Sequence, residues 1–177
     1  MKSTQFLIQE HKLILRSLDL LDAISASVEK TGAVEEPDVE KTLDFLRWFA
    51  DAHHQAKEET ILFPALKSAA ASQNRPVAHM TLEHDQERAL IEDMEKDLRL
   101  AKLAEFATCA SRLNSTLRNH IYKEDHILFE TADAVLTTRE DDTVSEQLSH
   151  FDTPLDKQVL DEKLKDLHSL EWKYLRK

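Results

Sequence analysis

The chain has 177 residues and a formal net charge of −11, which is long enough for one domain with a full core. Its acidity excludes nucleic acid and anionic membrane surfaces as partners, since phosphates call for a positive footprint. One Gly and four Pro, among abundant Ala, Leu, Glu, Lys and Asp, suit long helices and predict an all-α domain.

The first helix is expected to open at Ser3 or Thr4 as N-cap and to close at Gly32 as the C′ residue. Leu7, His11, Ile14, Leu18, Leu21 and Ser25 recur at spacings of four and three, a bundle seam in which His11 replaces an aliphatic residue. After a short acidic connection, a second helix is predicted from about residue 38 to 71. Leu43, Leu46, Ala50, His54, Glu58 and Ile61 share its inner stripe, and Pro64 removes a backbone donor, predicting a bend. Residues 72–75 read as a loop, with Pro76 near N1 of the next helix.

The third helix, about 76 to 101, carries Val77, Met80, His84, Glu87, Ile91, Met94 and Leu98 on one stripe. The fourth, about 104 to 136, carries Phe106, Cys109, Leu113, Leu117, His120, Glu124 and Ile127. A polar stretch at 137–143 is expected to close the bundle. A weak helical segment to His150 and a stronger one opened by Thr153-Pro154 come next, the latter with Leu160, Leu164, Leu167 and Trp172 on its apolar side. The expectation is an up-down-up-down four-helix bundle at 1–140, with additional C-terminal helices at 141–177 packed on it. Cys109 makes no internal disulfide, the first residues turn polar too soon for a signal peptide, and no apolar run reaches bilayer length, so a cytoplasmic location is expected.

The sequence repeats itself. His54-Gln-Ala-Lys57-Glu58-Glu59-Thr-Ile61-Leu62-Phe63 returns 66 positions later as His120-Ile-Tyr-Lys123-Glu124-Asp125-His-Ile127-Leu128-Phe129. His and Glu four apart on a helix are offset by about 40°, so they leave one face a turn apart. Each copy is preceded, one helix earlier, by a Glu-His pair, Glu10-His11 and Glu83-His84. Short loops then let all four stations meet at one height. Unpaired carboxylates on apolar stripes are costly, and two of them together repel. Cations between them remove the conflict. His11, His54, Glu58, His84, His120 and Glu124 are too many ligands for one structural zinc. They suit two borderline cations bridged by the carboxylates, with iron first and zinc or manganese as alternatives. No Glu-x-x-His occurs in the chain, which removes the ferritin-like arrangement.

These motifs, with His53-His54 and Leu62-Phe63-Pro64, resemble the hemerythrin-like (HHE cation-binding) domain over the four bundle helices. The resemblance implies an oxo- or hydroxo-bridged di-iron centre with terminal His11, His54, His84 and His120 and bridging Glu58 and Glu124. Asp125 competes with Glu124 as the bridge, because oxygen carriers of the family place an Asp there; the internal repeat favours Glu124. Those carriers also place a second ligand His four residues away on the third helix. Here Met80 and Arg88 flank His84 at that spacing, and His79 falls on the surface side. The four-His, two-Glu set resembles instead family members linked to nitric-oxide and oxidative stress.

The expected function is therefore a redox-active centre binding or reducing O2, peroxide or NO, walled by Ile14, Leu46, Leu117 and Ile127. The alternative is a non-enzymatic gas or iron sensor, or an iron-handling protein, whose metal-ordered bundle signals to a protein partner through the C-terminal helices. Asp51 and Glu87, three residues from ligand histidines, are expected to orient the imidazoles. His53, Glu59 and His126 flank ligands but point off the stripe, so they are expected to face solvent or to support the ligands from behind rather than to ligate. Tyr122 is likewise off the stripe. Cys109 reads as a buried thiol, and Trp48 and Trp172 as packing residues.

Overall fold

The structure is a computed structural model, and it describes residues 2–151 and 154–176. Six helices account for nearly all of it: α1 (Lys2–Thr31), α2 (36–69), α3 (Asn74–Arg99), α4 (103–135), α5 (Thr138–Phe151) and α6 (Pro154–Tyr174). No strand occurs among the described residues. Helices α1 to α4 alternate in direction; α1 packs against α2 and α4, and α3 against the same two. Gly32 ends α1 with φ +69°, its N–H reaching Val28 O at 2.8 Å. The α3–α4 turn places a non-glycine residue, Ala101, at φ 52°.

Two apolar clusters fill the bundle. Leu18, Phe45, Met94, Phe106 and Leu113 belong to one; Leu7, Leu62, Phe63, Val77 and Phe129 belong to the other. Between them, one turn on from Leu7 and one turn before Ile14 on α1, lies a polar layer containing His11. The last two helices complete the clusters. Leu167 and Leu170 of α6 join the first, and Val144 and Leu148 of α5 join the second.

Several expectations need correction. Ser3 and Thr4 are buried within the first turn of α1 rather than capping it. The carboxylate of Asp141 does the capping from α5, accepting from the N–H groups of Lys2 (3.1 Å) and Ser3 (3.2 Å) and from the Ser3 hydroxyl (2.5 Å). The 137–143 stretch is helical, opened by a capping box in which Glu140 N–H donates to Thr137 Oγ1 (3.3 Å) and Thr137 N–H to Glu140 Oε2 (2.8 Å). Asn74 opens α3 after a 3₁₀ turn at Ala71–Gln73, so Pro76 occupies the third helical position, still among the donors that a helix start leaves free. Thr153 lies outside the described residues. On α6, Leu170 is buried where Trp172 was expected, and Trp172 is exposed under the Arg176 guanidinium. Cys109 is half-buried, and Ala110 beside it is buried.

The largest departure is in the winding of α2 and α4. Leu46–Gln55 and Glu58–Leu62 in α2, and Glu124–Leu128 in α4, are π-helical. Phe63 N–H bonds back five residues to Glu58 O, and Phe129 N–H to Glu124 O. A widened turn absorbs one extra residue and rotates the rest of the helix about its axis. The inward position therefore moves from Ile61 to Leu62 and from Ile127 to Leu128, leaving Ile127 58 % exposed. Both copies share this turn, although only one contains proline, so Pro64 is not its cause. The chain continues helically through Pro64.

Candidate metal centre

Each of the four bundle helices brings one imidazole to the polar layer, and α2 and α4 add a carboxylate each. His11, His54, Glu58, His84, His120 and Glu124 are all buried. They form two groups that share both carboxylates: His11, His54, Glu58 and Glu124, and His84, His120, Glu58 and Glu124, with the candidate ligand atoms of each group within 4.8 Å of one another. Glu124 directs Oε2 to His11 Nε2 (3.3 Å) and Oε1 to His120 Nε2 (3.2 Å). Glu58 directs Oε1 to His54 Nε2 and Oε2 to His84 Nε2, each at 3.6 Å. Each carboxylate thus faces both groups, one oxygen to each.

The outer nitrogens explain the rest of the motif. His54 Nδ1 faces Glu10 Oε2 (2.9 Å), His84 Nδ1 faces Glu59 Oε1 (2.7 Å), His120 Nδ1 faces Glu83 Oε2 (2.8 Å) and His11 Nδ1 faces Asp125 Oδ1 (2.7 Å). Every helix supplies one acid to the histidine of the next, α1 to α2, α2 to α3, α3 to α4 and α4 back to α1. Each acid is the sequence neighbour of a residue facing the centre. The motif lysines obey the same symmetry, Lys57 bonding Glu10 (2.6 Å) and Lys123 bonding Glu83. The motif phenylalanines stack on imidazoles, Phe129 on His11 (centroids 5.6 Å, 6° between planes) and Phe63 on His84 (5.8 Å, 16°).

Asp51 and Glu87, expected to orient imidazoles, do not. Asp51 accepts from Arg88 Nη1 (3.0 Å) and Glu87 from Gln55 Nε2 (2.7 Å). The true orienting acids sit across helix boundaries, where spacing within one helix cannot point. His79 is exposed beside Glu83, and Tyr122 stacks on His126 at the surface. His53 packs on Trp48 (4.3 Å).

A neutral imidazole whose Nδ1 donates to a carboxylate presents a lone pair at Nε2. The centre therefore collects acceptors. His11 Nε2, His54 Nε2 and all four oxygens of Glu58 and Glu124 are buried with no hydrogen-bond partner. His84 Nε2 and His120 Nε2 face each other at 3.0 Å. Burial pulls every imidazole toward neutrality. It prevails at His84 and at His54, which falls to about 4, while Asp125 and Glu124 hold His11 up and Glu124 and Glu83 hold His120 well up. Burial and the neighbouring Glu124 push Glu58 well above the carboxylate range. Against its own burial, His120 and His11 hold Glu124 well below it. Positive charge is wanted here whatever its source, and nitrogen and oxygen donors in this number suit metal cations.

A family model for the hemerythrin HHE cation-binding domain matches residues 2–132. The chain belongs to that family. Comparison with curated proteins gives no match. The hemerythrin-like match ends within α4, so α5 and α6 lie beyond it. No helix among the described residues is long and apolar enough to cross a membrane.

Proposed function

We propose that this hemerythrin-like domain holds two iron ions, one by His11 and His54 and the other by His84 and His120, bridged by Glu58 and Glu124, and that the pair binds or reduces O2, peroxide or NO. The observation that carries the reading is the convergence of unpartnered acceptors, with both carboxylates facing both imidazole pairs. Two irons supply reversible one-electron chemistry and positions for a small exogenous ligand. The protein's own part is to orient and to exclude. The four outer acids hold Nδ1–H, fixing each ring and making Nε2 a better donor. Phe63 and Phe129 press the rings into plane, and Ile14, Leu46 and Leu117 keep bulk water out.

Metal content with an absorption spectrum of freshly purified protein tests the centre. Two irons per chain with charge-transfer bands are expected. Zinc at full occupancy would redirect the reading to non-redox chemistry, and manganese would keep a redox reading but move it to another metal. Anaerobically reduced protein that shows no spectral response to O2, peroxide or NO refutes the reactive role.

One contact favours a sensing role for the same centre. Helix α5 places Val144 and Leu148 in the cluster containing Phe63 and Phe129, the rings stacked on His84 and His11. Metal occupancy would thereby be felt by the C-terminal helices, where a partner protein could read it. Hydrogen exchange of α5 that is identical with and without metal counts against this.

A further inference from the structure

The two halves of the centre correspond position for position, α1 to α3 with an offset of 73 and α2 to α4 with an offset of 66. Every ligand, outer acid, motif lysine and motif phenylalanine named above has a counterpart of the same kind. One corner breaks the rule. Between α2 and α3 lie Gln55, Glu87 and Arg88; the matching corner between α4 and α1 holds Ile121, Ile14 and Leu15.

Glu87 stands one turn after His84, is 1 % exposed, and has Oε2 bonded by Gln55 Nε2 at 2.7 Å. Its Oε1 is buried with no partner. Arg88 does not neutralise it, being committed to Asp51, Glu59 and Asp85. Ile14 and Ile121 are both buried, so the fold fills the equivalent corner with hydrocarbon and has no packing need for a carboxyl. Burying an acid with one oxygen unpaired is costly. Burial pushes its carboxyl up to about 7, with His120 and Glu124 near enough for their charges to act on it, so a proton on Glu87 is accessible near neutral pH.

We propose that Glu87 is a further positioning residue of the metal centre, its Oε1–H donating a hydrogen bond to a small exogenous ligand on the ion held by His84 and His120. Gln55 fixes the carboxyl by occupying its other oxygen. The ion at His11 and His54 faces Ile14 instead and lacks such a donor, so the two ions are unequal toward incoming ligands. This inference rests on the reading that the centre accepts small ligands.

The test uses full-length, iron-loaded, oxidised protein titrated with sodium azide, monitored by absorption and by the infrared stretch of bound azide in H2O and D2O. Glu87→Ile copies the other corner, and Glu87→Gln keeps an N–H donor. Expected are unchanged iron content in both variants, azide binding about tenfold or more weaker in Glu87→Ile, and near wild-type binding in Glu87→Gln. A solvent-isotope shift of the azide stretch is expected in wild type and absent from Glu87→Ile. Wild-type affinity in Glu87→Ile overturns the proposal, as does an equal loss in both variants. So does loss of an ion from Glu87→Ile, which would make Glu87 a ligand of the metal. The absence of an isotope shift in wild type overturns it without any variant. Two-iron wild type that takes up no azide fails the underlying reading as well.

Discussion

Glu124 and Asp125 are adjacent acids that the structure gives opposite tasks, and exchanging each for its amide separates them. Glu124 is fully buried and offers one oxygen to each imidazole pair, 3.3 Å from His11 Nε2 and 3.2 Å from His120 Nε2. Glu124→Gln keeps one oxygen, replaces the other with a donor and removes the charge. Breaking a buried charge pair on one side costs about 3–5 kcal/mol, equivalent to roughly a hundred- to a few-thousandfold in affinity. That loss is expected to leave one ion or none per chain. Asp125 is partly exposed and accepts only the outer His11 Nδ1–H, at 2.7 Å. Asp125→Asn keeps an acceptor oxygen there, so both ions should stay, with affinity lowered about 10- to 100-fold, or about 1.4–2.7 kcal/mol. The assay is metal-to-protein ratio by mass spectrometry after dialysis against chelators of graded affinity. Asp125→Asn losing metal as completely as Glu124→Gln, or Glu124→Gln retaining two ions, would falsify the assignment of bridge and outer acid.

Three further outcomes are expected. At free metal a thousandfold above the dissociation constant, binding adds about 4 kcal/mol, so chelation should lower Tm by roughly 8–16 °C; equal melting with and without metal contradicts coupling of the centre to the fold. Against burial, His54 and Lys57 bring Glu10 down to about 2, and His120, opposed by burial, with Lys123 does the same for Glu83. Their folded values lie below the ordinary 4.5, so their stabilisation is complete above pH 4.5 and is lost as pH falls toward 2; Glu10→Gln with Glu83→Gln should flatten the melting-temperature profile in that window. Ala101 sits at φ 52°, where a β-carbon is strained, and Ala101→Gly should stabilise by roughly 0.5–1 kcal/mol in urea unfolding; a loss of stability would show that the turn is unstrained.

The bundle was legible because its helices are long and their seams obey a 3.6-residue period, and the inward His and Glu pairs stood out as polar interruptions that the chain repeats. Two features escaped the same reasoning. Spacing along the histidine's own helix pointed to Asp51 and Glu87 as orienting acids, whereas Glu10, Glu59, Glu83 and Asp125 reach across to a neighbouring helix. Their signal was present as an acid beside each inward residue in both copies. The widened turns were hidden because periodicity assumes one winding. The run Ile-Leu-Phe in both copies marks the place, since only a register change buries Leu62 and Leu128 rather than the isoleucines before them. The C-terminal helices were weaker still in the pattern, because Asp141 acts as a cap for a helix more than a hundred residues away.

The ring of acids and imidazoles has a consequence for assembly. Two of its links, Glu10 to His54 and Glu83 to His120, stay inside a helical hairpin, and two, Glu59 to His84 and Asp125 to His11, cross between hairpins. In two identical hairpins related by a twofold axis, both crossing links would be a single contact made twice. The centre is in this sense a homodimer written on one strand of polypeptide. Cutting between α2 and α3 would leave each piece with an imidazole on every helix but only one of them supported, and their reassociation would restore the support of all four at once.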